Sequence, residues 1–381
     1  IGPRIKSAFP VINSGSTDLG QITQFHRNDT FLKRREHGKI KTTNKVSRML
    51  SNRHIAFLGT SRSGLGHLRR ITNIARHLHP RDKWLRITLL TNAQPDGLTP
   101  DDLRPFSQIL VCDRADMALC LHRSGVDLAV LDTLQLPGIG RYGGRAALIL
   151  RETPESGLND FRRDDGRAWD RVIVPNARDH WMPKPDAGFA QRIEAAGWIL
   201  RPTGVRGPKD ACAGVVVATG GGGTAQTRAE LYPLLGRVIA QARDIAGHSF
   251  SIRQALGPRS GGEALRGVDA VFDPGGDLNA VFRAADLVIS TAGYNSVLEL
   301  ASTDTPAMLA AIPRSLDDQA ARVRLWGPRL GFCLLPDRVE DAAAWLADHA
   351  TRPRRRAPVA LGPDGAKRAA EILLDMLCPV S

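Results

Sequence analysis

Three glycine-bearing stretches set polar side chains at points where a strand passes into a helix, the natural place to hold an anion or activate a hydroxyl. The first is GTSRSGLGHLRR, Gly59 to Arg70, which puts His67 in the first turn of a helix. An imidazole there can take a proton near neutral pH. The same histidine would equally fit a structural hydrogen bond at a helix start. The stretch is not a Walker loop, because no Gly-Lys-Ser/Thr follows. Gly64 and Gly66 supply a GxG, but Arg69 stands where the dinucleotide fingerprint needs its third glycine.

The second stretch is Gly220-Gly221-Gly222-Gly223-Thr224. Four glycines entering a helix cost conformational entropy, and close approach of bare backbone amides to a phosphate is a reason to tolerate that. The third is ADLVISTAGYNSVLELASTDTPAML, Ala285 to Leu309. A buried strand ends at Thr291, and Ala292-Gly293-Tyr294-Asn295-Ser296 turns into a helix whose first amides and Ser296 hydroxyl favour negative charge. Glu299, three residues past Ser296, shares roughly the same helical face. Its carboxylate could accept both hydroxyls of a ribose, or be an exposed helix carboxylate. Downstream, Asp317-Asp318-Gln319 opens another helix. These side chains suit sugar hydroxyls, and equally an ordinary N-cap.

The elements that must position these residues alternate regularly. Apolar runs at 54–59, 85–91, 108–112, 127–132, 146–150 and 171–175 predict strands, with helices at 67–79 and 114–123. Residues 197–210, rich in Gly, Pro and Arg, carry no periodicity and read as a linker. The alternation restarts with strands at 214–219, 249–256, 270–272, 287–290, 307–311 and 332–335. Helices are expected at 225–246, 278–285, 295–301, 318–326, 339–349 and 365–377. The expected fold class is α/β: two Rossmann-like domains, each with a parallel sheet, facing a cleft at the strand carboxyl ends. Their bounds are 49–200 and 214–381, with 201–213 as linker.

Charge and cysteine content narrow the function classes. The net charge is +13, but ten Lys and Arg against three acids in residues 1–48 account for +7 of it. That segment has no long apolar stretch and reads as a disordered basic tail or a non-native extension. The remaining +6 suits an anionic diphosphate or an acidic membrane surface as well as nucleic acid, so nucleic acid is not the expected partner. The five cysteines are scattered with no CxxC pair, which fits a reducing cytosol and gives no zinc signature. No run reaches the ~18 apolar residues of a membrane span.

The stretch from Gly220 through FDPGGDLNAVFRAADLVISTAGYNSVLELASTDTPAMLAAIPRSLDDQ resembles the donor domain of GT-B glycosyltransferases. It is most similar to the N-acetylglucosaminyltransferase of peptidoglycan lipid II synthesis and related predicted glycosyltransferases. GLGHLRR resembles their first N-terminal loop, and Pro202-Thr203-Gly204-Val205-Arg206 resembles their linker. The resemblance implies that Gly221, Gly222 and Thr224 approach the diphosphate, with Gly293, Asn295 and Ser296 beside it. It also implies that Glu299 holds the ribose, that Asp318 and Gln319 touch the transferred sugar, and that the segment around Phe272 borders the base. His67 would lie near the acceptor, with Gly64 and Gly66 in the acceptor loop and Arg206 in the phosphate-side linker. Two departures stand out. Ala320 replaces a second glutamine of the lipid II enzyme, and Leu65-Gly66 replaces a Gly-Gly pair.

The expected chemistry is an inverting displacement at an anomeric carbon, without metal or other cofactor. The co-substrate is a nucleotide-diphosphate sugar, expected to be a UDP-sugar. No Asp-x-Asp metal motif occurs in the chain. His67 is the first candidate base, Asp132 in LDTLQLP the second and Glu152 in LRET the third. The acceptor is left open between a lipid-linked sugar, a polysaccharide and a small natural product. The expected location is cytoplasmic, at the inner face of the membrane through peripheral contact. A nucleotide-sugar epimerase or hydrolase of the same fold, or a non-catalytic basic binding protein, are the alternatives.

Overall fold

The computed structural model describes residues 53–378, except 61–63, 80–83, 202–213, 221–224, 226, 249, 258–262 and 313–316. The expected tail (1–48), Arg206, and the glycine-loop residues Gly221, Gly222 and Thr224 lie outside the described residues.

Two all-parallel sheets organise the chain. The first contains β1 (His54–Gly59), β2 (Arg86–Thr91), β3 (Gln108–Val111), β4 (Leu128–Asp132), β5 (Arg145–Ile149), β6 (Arg171–Val174) and β7 (Ile193–Ala195) in the order β3-β2-β1-β4-β5-β6-β7. The second contains β8 (Val215–Ala218), β9 (Ile252–Ala255), β10 (Ala270–Phe272), β11 (Leu287–Thr291), β12 (Ala307–Ala310) and β13 (Gly331–Leu334) in the order β10-β9-β8-β11-β12-β13. Both sheets run outward from their first strand and then reverse. Such a reversal leaves a crevice at the strand carboxyl ends, where the flanking connections diverge to opposite faces. In the first domain it lies between β1 and β4, in the second between β8 and β11. The central strands are buried on both faces, as their unbroken apolar runs require.

The helices are α1 (Gly66–Leu78), α2 (Pro100–Leu103), α3 (Met117–Arg123), α4 (Tyr232–Ala246), α5 (Leu278–Ala284), α6 (Tyr294–Ala301), α7 (Gln319–Leu330), α8 (Val339–Thr351) and α9 (Gly365–Leu377). The helix expected from residue 225 becomes regular only at Tyr232, after a wide turn over Thr227–Leu231. Pro233 sits in the first turn of α4, the one part of a helix that tolerates its missing N–H.

The domain boundary expected at the carboxyl end needs correction. Helix α9 does not belong to the second domain's core. Its Ala369, Ile372, Leu373 and Met376 pack with Ile55, Phe57, Leu68 and Ile71 of the first. Arg145 on β5 donates to the Cys378 carbonyl at 3.0 Å, satisfying an orphan acceptor at the end of α9. Among the described residues, no helix is long and apolar enough to cross a membrane.

Candidate active site

Both reversal points open into one cleft, lined from the first domain by Gly64, Gly66, His67, Arg69 and Arg151 and from the second by Gly220, Gly293, Ser296, Glu299 and Asp317, among others. On the first-domain side, Asp132 ends β4 and is fully buried. Arg70 grips it with both arms, Nε to Oδ2 at 2.8 Å and Nη2 to Oδ1. His67 Nδ1 lies 3.1 Å from Oδ1. His67 and Arg70 are three residues apart on α1, so one helical face presents both to the same carboxylate. Burial alone would raise the Asp132 pKa, but the Arg70 charge and the His67 bond outweigh it and hold the carboxyl below its ordinary range. An ionised carboxylate only accepts hydrogen bonds, so Nδ1 is the nitrogen that donates to it, and in the neutral imidazole the lone pair then sits on Nε2.

This geometry corrects the expectation of Asp132 as an alternative base. With no exposed surface and both oxygens engaged, it cannot meet an incoming hydroxyl; it orients His67 instead. Thr133, the next residue, has φ +42°, rare for a β-branched side chain. Its amide and hydroxyl both donate to the Ile149 carbonyl, at 2.7 and 3.0 Å, and hold the turn that aims Asp132. Glu152 is also unsuited to be a base. Its oxygens accept from His180 at 2.9 Å and Arg322 at 3.2 Å. Against the opposing effect of burial, these partners bring its pKa to about 2.

On the second-domain side, α6 begins after Gly293, whose missing side chain leaves the cleft open to the helix amides. Among the described residues, no side chain caps this end, which leaves its first N–H groups as donors facing the cleft with the helix dipole behind them. Ser296 and Glu299 both line the cleft. Glu299 is only 7% exposed, more buried than the open carboxylate expected. Among the described residues, no side chain donates to its carboxylate; Asn279 and Ser302 donate to its backbone carbonyl instead. Burial lifts its pKa above the ordinary range, while the charges of Arg69 and Arg201 pull the other way without cancelling.

Other candidates fall differently. Asn295 lines the cleft, but its side-chain amide donates to the Gly66 carbonyl at 3.0 Å, tying the two loops together. Gln319 reaches the cleft wall with its amide committed to Ile312 N (3.1 Å) and Asp317 Oδ2 (3.1 Å). Asp318 is outside the cleft lining: its carboxylate caps α7 by accepting from Ala321 N at 2.8 Å. Asp317 takes the cleft position instead. Phe272 is likewise not in the lining. It packs on the second core with the Arg253 guanidinium 5.7 Å from its ring centre, while its neighbours Ala255 and Pro274 line the cleft.

Sequence reasoning missed the charged seam between the domains. Arg322 on α7 donates to Asp317 Oδ1 at 2.9 and 3.0 Å, to Glu152 of the first domain, and to the Ala292 carbonyl at 2.8 Å. Arg151, just after β5, lies 3.1 Å from Asp317 Oδ1. Tyr294, the first residue of α6, buries its hydroxyl against the Pro175 carbonyl and sets its ring 5.1 Å from the Arg70 guanidinium. Nothing in the local sequence marks these arginines as buried. The one available signal was that Arg69 and Arg70 follow His67 on a helix facing the cleft. Among the described residues, no three His, Cys, Asp or Glu side chains converge as metal ligands.

No protein-family model matches the chain. Over 174 residues it is 30% identical to a UDP-N-acetylglucosamine--N-acetylmuramyl-(pentapeptide) pyrophosphoryl-undecaprenol N-acetylglucosamine transferase of Azoarcus sp. (strain BH72), covering 41% of this chain and 47% of that protein. The chain thus spans about half the length of the curated relative it matches. Among solved structures, it is similar to the glycotransferase of kitacinnamycin, with a TM-score of 0.55 and 16% identity over 85% of this chain and 99% of the other. It is also similar to a putative UDP-N-acetylglucosamine 2-epimerase from Listeria monocytogenes, with a TM-score of 0.52 and 11% identity over 85% and 95% of the two chains. These structural likenesses bear on the fold, and with the strand orders above they identify it: the chain has the GT-B fold, two Rossmann-like domains whose strand carboxyl ends face one cleft.

Proposed function

We propose that the chain is an inverting glycosyltransferase that moves a sugar from a UDP-sugar to an acceptor hydroxyl without metal. The observation that carries this reading is the His67–Asp132 pair facing, across the cleft, the uncapped start of α6. His67 Nε2 takes the acceptor proton as the acceptor oxygen bonds to the anomeric carbon. The bond from that carbon to the β-phosphate oxygen breaks on the opposite face, and the diphosphate leaves with the electron pair. Its charge falls on the α6 amides and Ser296, where preorganised dipoles lower the barrier most. Glu299 accepts the ribose hydroxyls, which supply the donors its buried carboxylate lacks. Gly221, Gly222 and Thr224 complete the phosphate contacts, and Asp317 and Gln319 border the transferred sugar.

The relative from Azoarcus, named for a UDP-sugar donor and an undecaprenol-linked acceptor, supports UDP as the nucleotide and a lipid-linked acceptor here; peripheral contact at the cytoplasmic face of the membrane is the location this reading expects. Ala320, in place of a second glutamine, argues against simply carrying over N-acetylglucosamine. Thermal shift against a panel of nucleotide sugars tests the reading, because a ligand of the folded state raises apparent stability. UDP-sugars should raise the melting temperature. They should remain unchanged when incubated with the protein and no acceptor. Isomerised nucleotide sugar under those conditions would replace this reading with an epimerase.

A further inference from the structure

Among the described residues, two guanidiniums that line the cleft each keep a buried N–H without an acceptor: Arg69 through Nη1 and Arg151 through Nε. They sit in different charged surroundings. Arg69 donates through Nη2 to the Gly276 carbonyl at 2.6 Å and acts electrostatically on Glu299, which places it at the nucleotide end. Arg151 follows β5 and reaches Asp317, and the charges of Arg70 and Asp132 act on it. It therefore stands between the His67 pair and the wall that borders the transferred sugar. We propose that Arg151 receives an anionic substituent, a carboxylate or a phosphate, carried by one of the two sugars at the junction where the new glycosidic bond forms. This rests on the glycosyltransferase reading above.

The pairing of charges around Arg151 is uneven. Three guanidiniums, of Arg70, Arg151 and Arg322, meet three carboxylates, of Asp132, Asp317 and Glu152. Asp132 is spent on Arg70 and His67. Glu152 gives one oxygen to His180 and the other to Arg322. Asp317 Oδ1 already accepts two bonds from Arg322, and its Oδ2 accepts from Gln319. Arg151 is left with a share of one oxygen. Burial lowers its pKa; Asp317 opposes that, and the nearby Arg70 and Arg322 charges reinforce it. This guanidinium is short of negative charge. Its side chain is only 15% exposed, a setting in which a cation gains from a fuller partner, and a planar fork with an unused Nε–H matches a carboxylate or phosphate better than a lone hydroxyl.

The test is calorimetric titration of the full chain. Two probe pairs distinguish the sources: UDP-glucuronate against UDP-glucose for the donor, and, with UDP saturating, glucose 6-phosphate against glucose for the acceptor. In the wild type, the charged member of one pair should bind at least tenfold tighter than its neutral partner. In Arg151→Gln that advantage should shrink to within twofold, with the affinity for UDP alone unchanged within twofold. Arg151→Lys, which keeps the charge without the fork, should retain part of it and guards against a misfolded glutamine variant. Wild-type protein that binds UDP but prefers neither charged probe would overturn the inference and leave the transferase reading standing. So would an Arg151→Gln variant that keeps the preference or loses UDP itself. Failure of the wild type to bind UDP would overturn both.

Discussion

In the proposed reaction, His67 gains its chemistry from what holds its other nitrogen. Asp132 fixes the tautomer, and Arg70 keeps Asp132 ionised in a site with no water contact. His67→Ala should lower the single-turnover rate by about 10²–10⁴-fold, the usual loss for a general base. UDP affinity and melting temperature should be retained, because α6 and Glu299 belong to the other domain. Rate, affinity and melting measured on one preparation check this; a matching fall in all three would make the histidine structural. Glu299 yields a prediction of opposite sign for stability. Its folded-state pKa is raised. Its contribution is therefore best below the unfolded value of about 4.3 and is lost as pH rises through the folded value. At neutral pH, Glu299→Gln should melt no lower than wild type without ligand, and should melt lower than wild type once UDP is added. A lower melting temperature without ligand would show the carboxylate to be satisfied within the protein.

At the scale of elements, periodicity located the sheets well, because strands buried on both faces read as apolar runs that few other structures allow. It could not locate β7, three residues long and half-buried at a sheet edge. The family resemblance, not periodicity, put Asp318 at the sugar, whereas Asp317 is the aspartate that lines the cleft. The residue just before a helix turns its carboxylate back onto the helix amides, so Asp318 becomes the cap and Asp317 is left to the cleft. The buried arginines were illegible for a related reason: their partners, such as Glu152 for Arg322, lie 170 residues away. That seam gives its own prediction. Arg322→Met leaves Asp317 to Arg151 and Gln319 and Glu152 to His180, and should cost up to about 3–5 kcal/mol, the loss when one partner of a buried pair is removed; urea unfolding measures it. The Glu152 pKa, lowered to about 2, contributes to the acid limit beside the lowered Asp132 and Asp317. Its contribution is complete above the unfolded value of about 4.3 and is lost as pH falls from there towards 2. Wild-type stability should drop across that window, and Glu152→Gln should flatten the drop.

At the scale of the whole molecule, the chain returns to its first domain through α9, which the linear order of motifs did not reveal. Four of its side chains, Ile372, Leu373, Met376 and Leu377, are buried in that core. Each is worth about 1.5–3 kcal/mol, together comparable to the ~5–15 kcal/mol that keeps a domain folded. Deleting residues 363–381 should therefore unfold the first domain, even though the removed segment follows the second in sequence. Soluble protein retaining its near-ultraviolet signal would contradict that. In the proposed reaction, one cleft binds the nucleotide on one wall and activates the acceptor from the other. Calorimetric titration of UDP with EDTA present tests this most directly, comparing wild type, Glu299→Ala and His67→Ala. One site per chain is expected, weakened by about 1–3 kcal/mol, or roughly 5- to 150-fold, in Glu299→Ala and unchanged in His67→Ala. No binding to the wild type, or equal affinity in all three proteins, would contradict it.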